Sequence, residues 1–169
     1  LAMRGSHIRA SLFSLPVKLA VFFHTLFYPE RYLYNAFNIV TEQIEQMRQS
    51  GLLDACSEMI VGCNGGEESH DIAHLLLPEK SKIVYHGLES KSENLTIVEI
   101  EKWVPQHQNW CVLYFHVKGI SHDPESVDGK LRTKWRKCMM NHLVEEWQKC
   151  VRYLTSGYEA VGCHWMDGA

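Results

Sequence analysis

Trp110-Cys111-Val112-Leu113-Tyr114-Phe115-His116-Val117 is an almost unbroken run of aromatic, β-branched and aliphatic residues, bounded by Gln108-Asn109 before and Lys118-Gly119 after. An apolar run this short, closed by polar and glycine residues, reads as a strand covered on both faces. Working outward, three further runs also stop on a histidine: Val21-Phe22-Phe23-His24, Ile83-Val84-Tyr85-His86 and Val161-Gly162-Cys163-His164. A fifth, Met59-Ile60-Val61-Gly62-Cys63, stops on Asn64-Gly65-Gly66. These runs predict strands over 17–24, 59–63, 82–86, 110–117 and 158–164. Between them, Leu33, Phe37, Val40, Ile44 and Met47 recur at helical spacing, a short helix is expected over 96–103 before Pro105, and a long one over 131–154 with Trp135, Met139, Leu143, Trp147, Cys150, Val151 and Leu154 on one face. Strands alternating with helices predict an α/β, three-layer, Rossmann-like domain with a mostly parallel sheet of about five strands and helices on both faces. In such a sheet the C-terminal strand ends share an edge, which is where α/β proteins build ligand sites.

With 46% hydrophobic residues, a chain of 169 is expected to form a single domain with a substantial core. Its formal charge of −3 gives no electrostatic footprint for nucleic acid, and no apolar stretch reaches the length of a membrane helix. Six dispersed cysteines without a CxxC pair read as reduced core residues, which suits a cytoplasmic protein. Residues 1–10, containing Arg4-Gly5-Ser6-His7, read as an expression leader ahead of one α/β domain over 11–169.

Lys130, Arg132, Lys134, Arg136 and Lys137 crowd the expected start of the long helix. Cations there oppose the helix dipole, whereas a helix start furnished with Lys and Arg suits a phosphate. A solvated basic face is the plain alternative. The surrounding motifs carry a resemblance. Phe115-His116-Val117-Lys118-Gly119-Ile120-Ser121, Trp135-Arg136-Lys137-Cys138-Met139, Trp147-Gln148-Lys149-Cys150-Val151 and Gly157-Tyr158-Glu159-Ala160-Val161-Gly162-Cys163-His164-Trp165 together resemble a family of GT-A-like glycosyltransferases. The His-x-Lys element followed by Trp-Arg is also similar to rhamnan-synthesis glycosyltransferases. Val117 stands where that pattern has threonine, and His164 where it has asparagine. The resemblance implies a nucleotide-sugar donor, a glycan-type acceptor, and a further block rich in aromatic, Ser, Gly and Asn residues, so the sequence is expected to be a piece of a larger protein.

On that resemblance His116, Lys118, Gly119 and Arg136 match motif positions: His116 becomes a candidate catalytic residue, and Lys118, Gly119 and Arg136 candidate substrate contacts. Asp167, just past the last expected strand, is a second catalytic candidate, as an acceptor base or a lone metal ligand. His24 and His164 mark the sheet edge, Thr25 beside His24 suits a base or ribose, and Asn64-Gly65 lets backbone approach a ligand closely. Sugar transfer requires neutralisation of the leaving diphosphate. The chain has no Asp-x-Asp motif, leaving either a divalent cation (Mn or Mg) or Lys118 with Arg136 for that task. Two other readings stand beside this one: a non-catalytic nucleotide- or sugar-binding module, and a metal-dependent hydrolase using His24, His86, His116 and His164. His70-Asp71-Ile72-Ala73-His74 also sets two histidines one helical turn apart, as in a zinc-binding helix. An unpaired sheet edge at the end of the chain is expected to invite a homo-oligomer.

Overall fold

The computed structural model describes residues 17–27, 33–87 and 93–163. Four strands, β1 (Lys18–Phe27), β2 (Glu58–Gly65), β3 (Ser81–Gly87) and β4 (Trp110–His116), form one all-parallel sheet in the order β3-β2-β1-β4. The helices are α1 (Leu33–Gln49), α2 (Leu52–Ala55), α3 (Glu68–Leu76), α4 (Asn94–Trp103), α5 (Val127–Met140) and α6 (Trp147–Thr155). Strand alternation sorts the side chains into two cores. Leu19, Val21 and Phe23 of β1 pack with α1, α3 and α5, whereas Ala20 and Phe22 pack with Ile100 and Trp103 of α4 on the opposite face. The chain steps from β1 out to β2 and β3, then crosses the sheet to place β4 on the other side of β1. The strand order therefore reverses between β1 and β4.

Three expectations are corrected. Among the described residues the sheet has four strands, since residues 158–163 form no ladder. Beyond Gly157 (φ +105), Val161 instead fits beside Leu143 and Leu154 at the flank of β4. Gly162 contributes no side chain to hold a strand there. The long helix is not continuous: a π-helical turn at Asn141–Glu145 separates α5 from α6. It also starts earlier, at Val127, where the Ser126 side chain accepts from the Gly129 N–H (3.0 Å) and Asp128 occupies the first turn. The basic residues thus lie beyond the helix start, which already has its own cap and acid.

The inner stripe of α1 is rotated slightly from expectation. Ala36, Ile39, Val40, Gln43, Ile44 and Met47 are buried, while Phe37 is 42% exposed. Trp135, expected on the core face of α5, is 48% exposed. Both departures put polar or amphipathic groups where they serve the sheet edge. No helix among the described residues is long and apolar enough to cross a membrane.

Candidate functional site

The C-terminal edge of the sheet is built around one missing side chain. His24 is in register with His116 across β1–β4 and with Gly62 across β1–β2. Because Gly62 presents only hydrogen, Thr96 of α4 enters the gap, with its Oγ1 2.9 Å from His24 Nδ1. A methyl group at Gly62 would overlap Thr96 Oγ1 and lie 3.0 Å from His86 Nε2. Three strand-end histidines therefore gather at one place. Burial, helped by the neighbouring His116 and His86, pushes the His24 pKa down to about 4. Burial also lowers His86 and His116, against the opposing pull of Glu99 and Glu93 respectively. These imidazoles are neutral near pH 7. Among the described residues no group of three or more His, Cys, Asp or Glu side chains is placed to hold a metal, and His164, the fourth histidine of the hydrolase reading, lies outside them.

The segment after β4 is held from below. The Val117 N–H donates to His24 O (3.2 Å), tying the loop back to β1. From α1, Asn35 Nδ2 donates to the carbonyls of Ile120 (2.9 Å) and His122 (3.2 Å), and Gln43 Nε2 to that of His116 (3.3 Å). From α5, Arg136 is buried and donates to Lys118 O (3.0 Å) and Glu42 Oε2 (3.1 Å). At Gly119 the backbone has φ +88, and a methyl group there would sit 2.9 Å from Arg132 Cβ. Glycine is needed both for that left-handed conformation and for the approach of α5.

What the loop and strand ends enclose is a cleft of about 400 Å³ between the ends of β1 and β4. His24 and Leu26 line it from β1, residues 116–122 from the loop, Glu93 from the start of α4, and Arg132 from α5. It lies where the strand order reverses, the switch point at which open α/β sheets bind ligands. Two histidine–carboxylate pairs flank it. His116 Nδ1 meets Glu93 Oε2, and His122 Nε2 lies 3.0 Å from Asp128 Oδ2. Two cations are at hand. Lys118 Nζ lies 4.3 Å over the ring of Trp135, and Arg132 Nε is 3.6 Å from Asp128 Oδ1. The cleft therefore combines neutral imidazole able to accept a proton with positive charge able to face an anion.

Of the residues expected at the site, His24, His116, Lys118 and Gly119 line this cleft. Arg136 does not; it lies beneath, its guanidinium bonded to a carbonyl and a carboxylate of the protein itself. Thr25 is buried on the other face of β1, donating to Gly62 O (3.3 Å). Asn64 is fully buried, and Gly65 fits against Ser69, whose Oγ donates to Phe27 O (3.2 Å). That turn serves the packing of α3 rather than a ligand. His164 and Asp167 lie outside the described residues. Cys63 is buried, and burial raises its thiol to about 11, so it is inert as a nucleophile.

Sequence reasoning missed Glu93 and His122, and it noted Arg132 only as part of a basic cluster. It also missed the polar struts Asn35, Glu42 and Gln43. Gln43 did leave a signal: a polar residue between Val40 and Ile44 on an otherwise apolar stripe needs a partner. No curated protein matches the chain. A family model described as a domain of unknown function (DUF8361) matches residues 22–158, a span that holds the sheet from Phe22 onward, every helix and all the cleft residues named above, and the chain therefore belongs to that family.

Proposed function

We propose that the cleft binds the diphosphate of a nucleotide sugar and that the domain transfers the sugar to a glycan-type acceptor. The observation that carries this reading is the meeting, at the switch point, of two histidine–carboxylate pairs with Lys118 and Arg132. Glu93 accepts from Nδ1–H of His116 and so leaves the Nε2 lone pair to take a proton. In the proposed step Nε2 removes the acceptor hydroxyl proton as the acceptor oxygen bonds to the anomeric carbon. The bond from that carbon to the diphosphate oxygen breaks, and the electron pair leaves with the diphosphate. Lys118 and Arg132 face the departing charge. His122, paired with Asp128 at the other end of the loop, helps to fix the loop that carries Lys118. The resemblance of the His-x-Lys-Gly and Trp-Arg elements to glycosyltransferases supports the same assignment. A Mn or Mg ion assisting the diphosphate belongs to the proposal as a variable of its test.

Thermal unfolding in the presence of nucleoside diphosphates and nucleotide sugars, with and without Mn, tests it. A nucleoside diphosphate is expected to stabilise the chain, and Arg132→Ala or Lys118→Ala to abolish that shift. His116→Gln is expected to retain the shift while losing transfer to a glycan acceptor. Absence of stabilisation by every nucleotide would refute the donor site. Stabilisation with no transfer under any condition would favour a nucleotide-binding module instead.

A further inference from the structure

On α3, away from the cleft, the imidazoles of His70 and His74 face one another. Their Nε2 atoms are 3.2 Å apart and their ring centroids 4.4 Å, with the planes near perpendicular. Both side chains are solvent-accessible, and nothing in the proposed chemistry uses them. We propose that this pair is a chelating site for a divalent transition cation of the zinc, nickel and cobalt class.

Three observations converge. The first is the bite. Two imidazole nitrogens at metal–nitrogen distances of about 2.0–2.1 Å and an angle of roughly 90–110° stand about 2.9–3.4 Å apart. The observed separation falls inside that window without any side chain moving. As the rings stand, one Nε2 donates to the other; on metal binding that hydrogen moves to Nδ1 of its own ring, leaving both Nε2 lone pairs for the ion. The second is the outer side of His70. Its Nδ1 lies 4.0 Å from Asp71 Oδ1, beyond hydrogen-bond distance, so a carboxylate stands near the nitrogen that does not chelate and contributes negative charge there. The third is the surrounding field. Glu68 and Asp71 occupy the first turn of α3, the helix that carries both imidazoles. Acidic surroundings favour a cation over a second protonated ring.

Helical position explains why the pair forms. Residues four apart lie on one face, and the buried residues Ser69 and Ala73 turn the adjacent face inward, so His70 and His74 remain exposed side by side. Two protein ligands leave the remaining coordination positions to water. The site is thus open, and imidazole selects it for transition cations over Mg or Ca.

The test is titration of the full chain with Co(II), followed by absorption spectroscopy and calorimetry. Cobalt distinguishes nitrogen and oxygen ligation, with weak d–d bands, from thiolate ligation, with intense charge-transfer bands. One Co(II) per chain with weak d–d bands only is expected. His70→Ala and His74→Ala are each expected to weaken binding by about tenfold or more, at least the factor that a supporting residue can command. Both positions are exposed, so the variants fold, and unchanged thermal unfolding of the metal-free variants confirms it. No binding by the parent chain, equal affinity in both variants, or strong thiolate bands would each overturn the site. Because Arg132→Ala leaves α3 untouched, cobalt binding that survives in that variant separates this site from the nucleotide cleft.

Discussion

The two gaps that flank β1 at the C-terminal edge begin alike and end differently. On the β2 side, Asn64-Gly65 closes the edge: α3 comes down so tightly that Gly65 touches Ser69, and Ser69 bonds Phe27 O. On the β4 side, residues 116–120 arch over the edge, and α1 and α5 hold them by the carbonyls of Ile120, His116 and Lys118 with Asn35, Gln43 and Arg136. The first gap is filled by packing; the second is left as a cleft. Each has its glycine, so glycine does not mark the ligand side. The difference is topological, because the first gap separates strands joined in sequence and the second lies where the order reverses. It is also visible in chemistry. The closed side bonds the Ser69 hydroxyl to Phe27 O, whereas the open side keeps His116, His122, Lys118 and Arg132 along the cleft wall.

The comparison breaks most sharply at Gly65. A methyl group there would overlap Ser69 Oγ and stand 2.5 Å from the Phe27 carbonyl oxygen, a backbone atom that cannot step aside. Gly65→Ala is expected to destabilise the fold by about 3 kcal/mol, at the upper end of overpacking costs. In chemical denaturation the midpoint falls, while nucleotide affinity of the folded fraction stays unchanged. If affinity falls together with stability, the closed side communicates with the cleft after all.

The open side is set apart by its histidines. His24 has its pKa pushed from 6.5 down to about 4 by burial in the fold. Between those values the unfolded chain binds the proton and the folded chain does not, so stability rises with pH through this window and is lost as pH falls toward 4. The shift corresponds to about 3 kcal/mol. Lowered His86 and His116 act with the same sign. Unfolding free energy measured from pH 7 down to 4.5 is expected to fall steeply in the parent and less steeply in His24→Gln. Equal slopes would show that His24 is not buried in its neutral form.

Much of this architecture can be read from the apolar runs. The four strands lie where Phe22-Phe23, Ile60-Val61, Ile83-Val84 and Leu113-Tyr114 put them; β1 and β2 are buried on both faces, whereas the edge strands β3 and β4 are only partly covered. Val161-Gly162-Cys163 looks similar but has too little side chain to hold an edge strand, and it settles on the flank of β4 instead. The site was legible in part. His116, Lys118 and Gly119 lie in one contiguous loop, so finding the strand end finds them. Arg132 and Arg136 are one helical turn apart and equally basic in sequence. Only the packing of α5 on α1 decides that Arg136 turns under the loop to Glu42 while Arg132 faces the cleft. Glu93 arrives from a different helix start, and local spacing cannot bring it to His116.

The smallest effect on stability should be the most telling about the cleft. Gly119 holds φ +88 with Arg132 Cβ only 2.9 Å from where a methyl group would be. In Gly119→Ala the left-handed backbone costs about 1 kcal/mol for a single non-glycine residue. Arg132 Cβ is fixed to the α5 backbone, so the contact is relieved by a shift of the loop against that helix, a smaller overlap than the one at Gly65. The relief is paid in position, since the loop that carries Lys118 moves relative to the guanidinium that faces the diphosphate. Losing one well-placed charge-assisted hydrogen bond corresponds to about 1.5 kcal/mol, or roughly tenfold in affinity. Calorimetric titration with a nucleoside diphosphate is therefore expected to show about tenfold weaker binding with a smaller loss of stability than in Gly65→Ala. Unchanged affinity would mean that Arg132 and Lys118 do not hold the anion together. The two glycines then separate what holds the sheet edge together from what the edge binds.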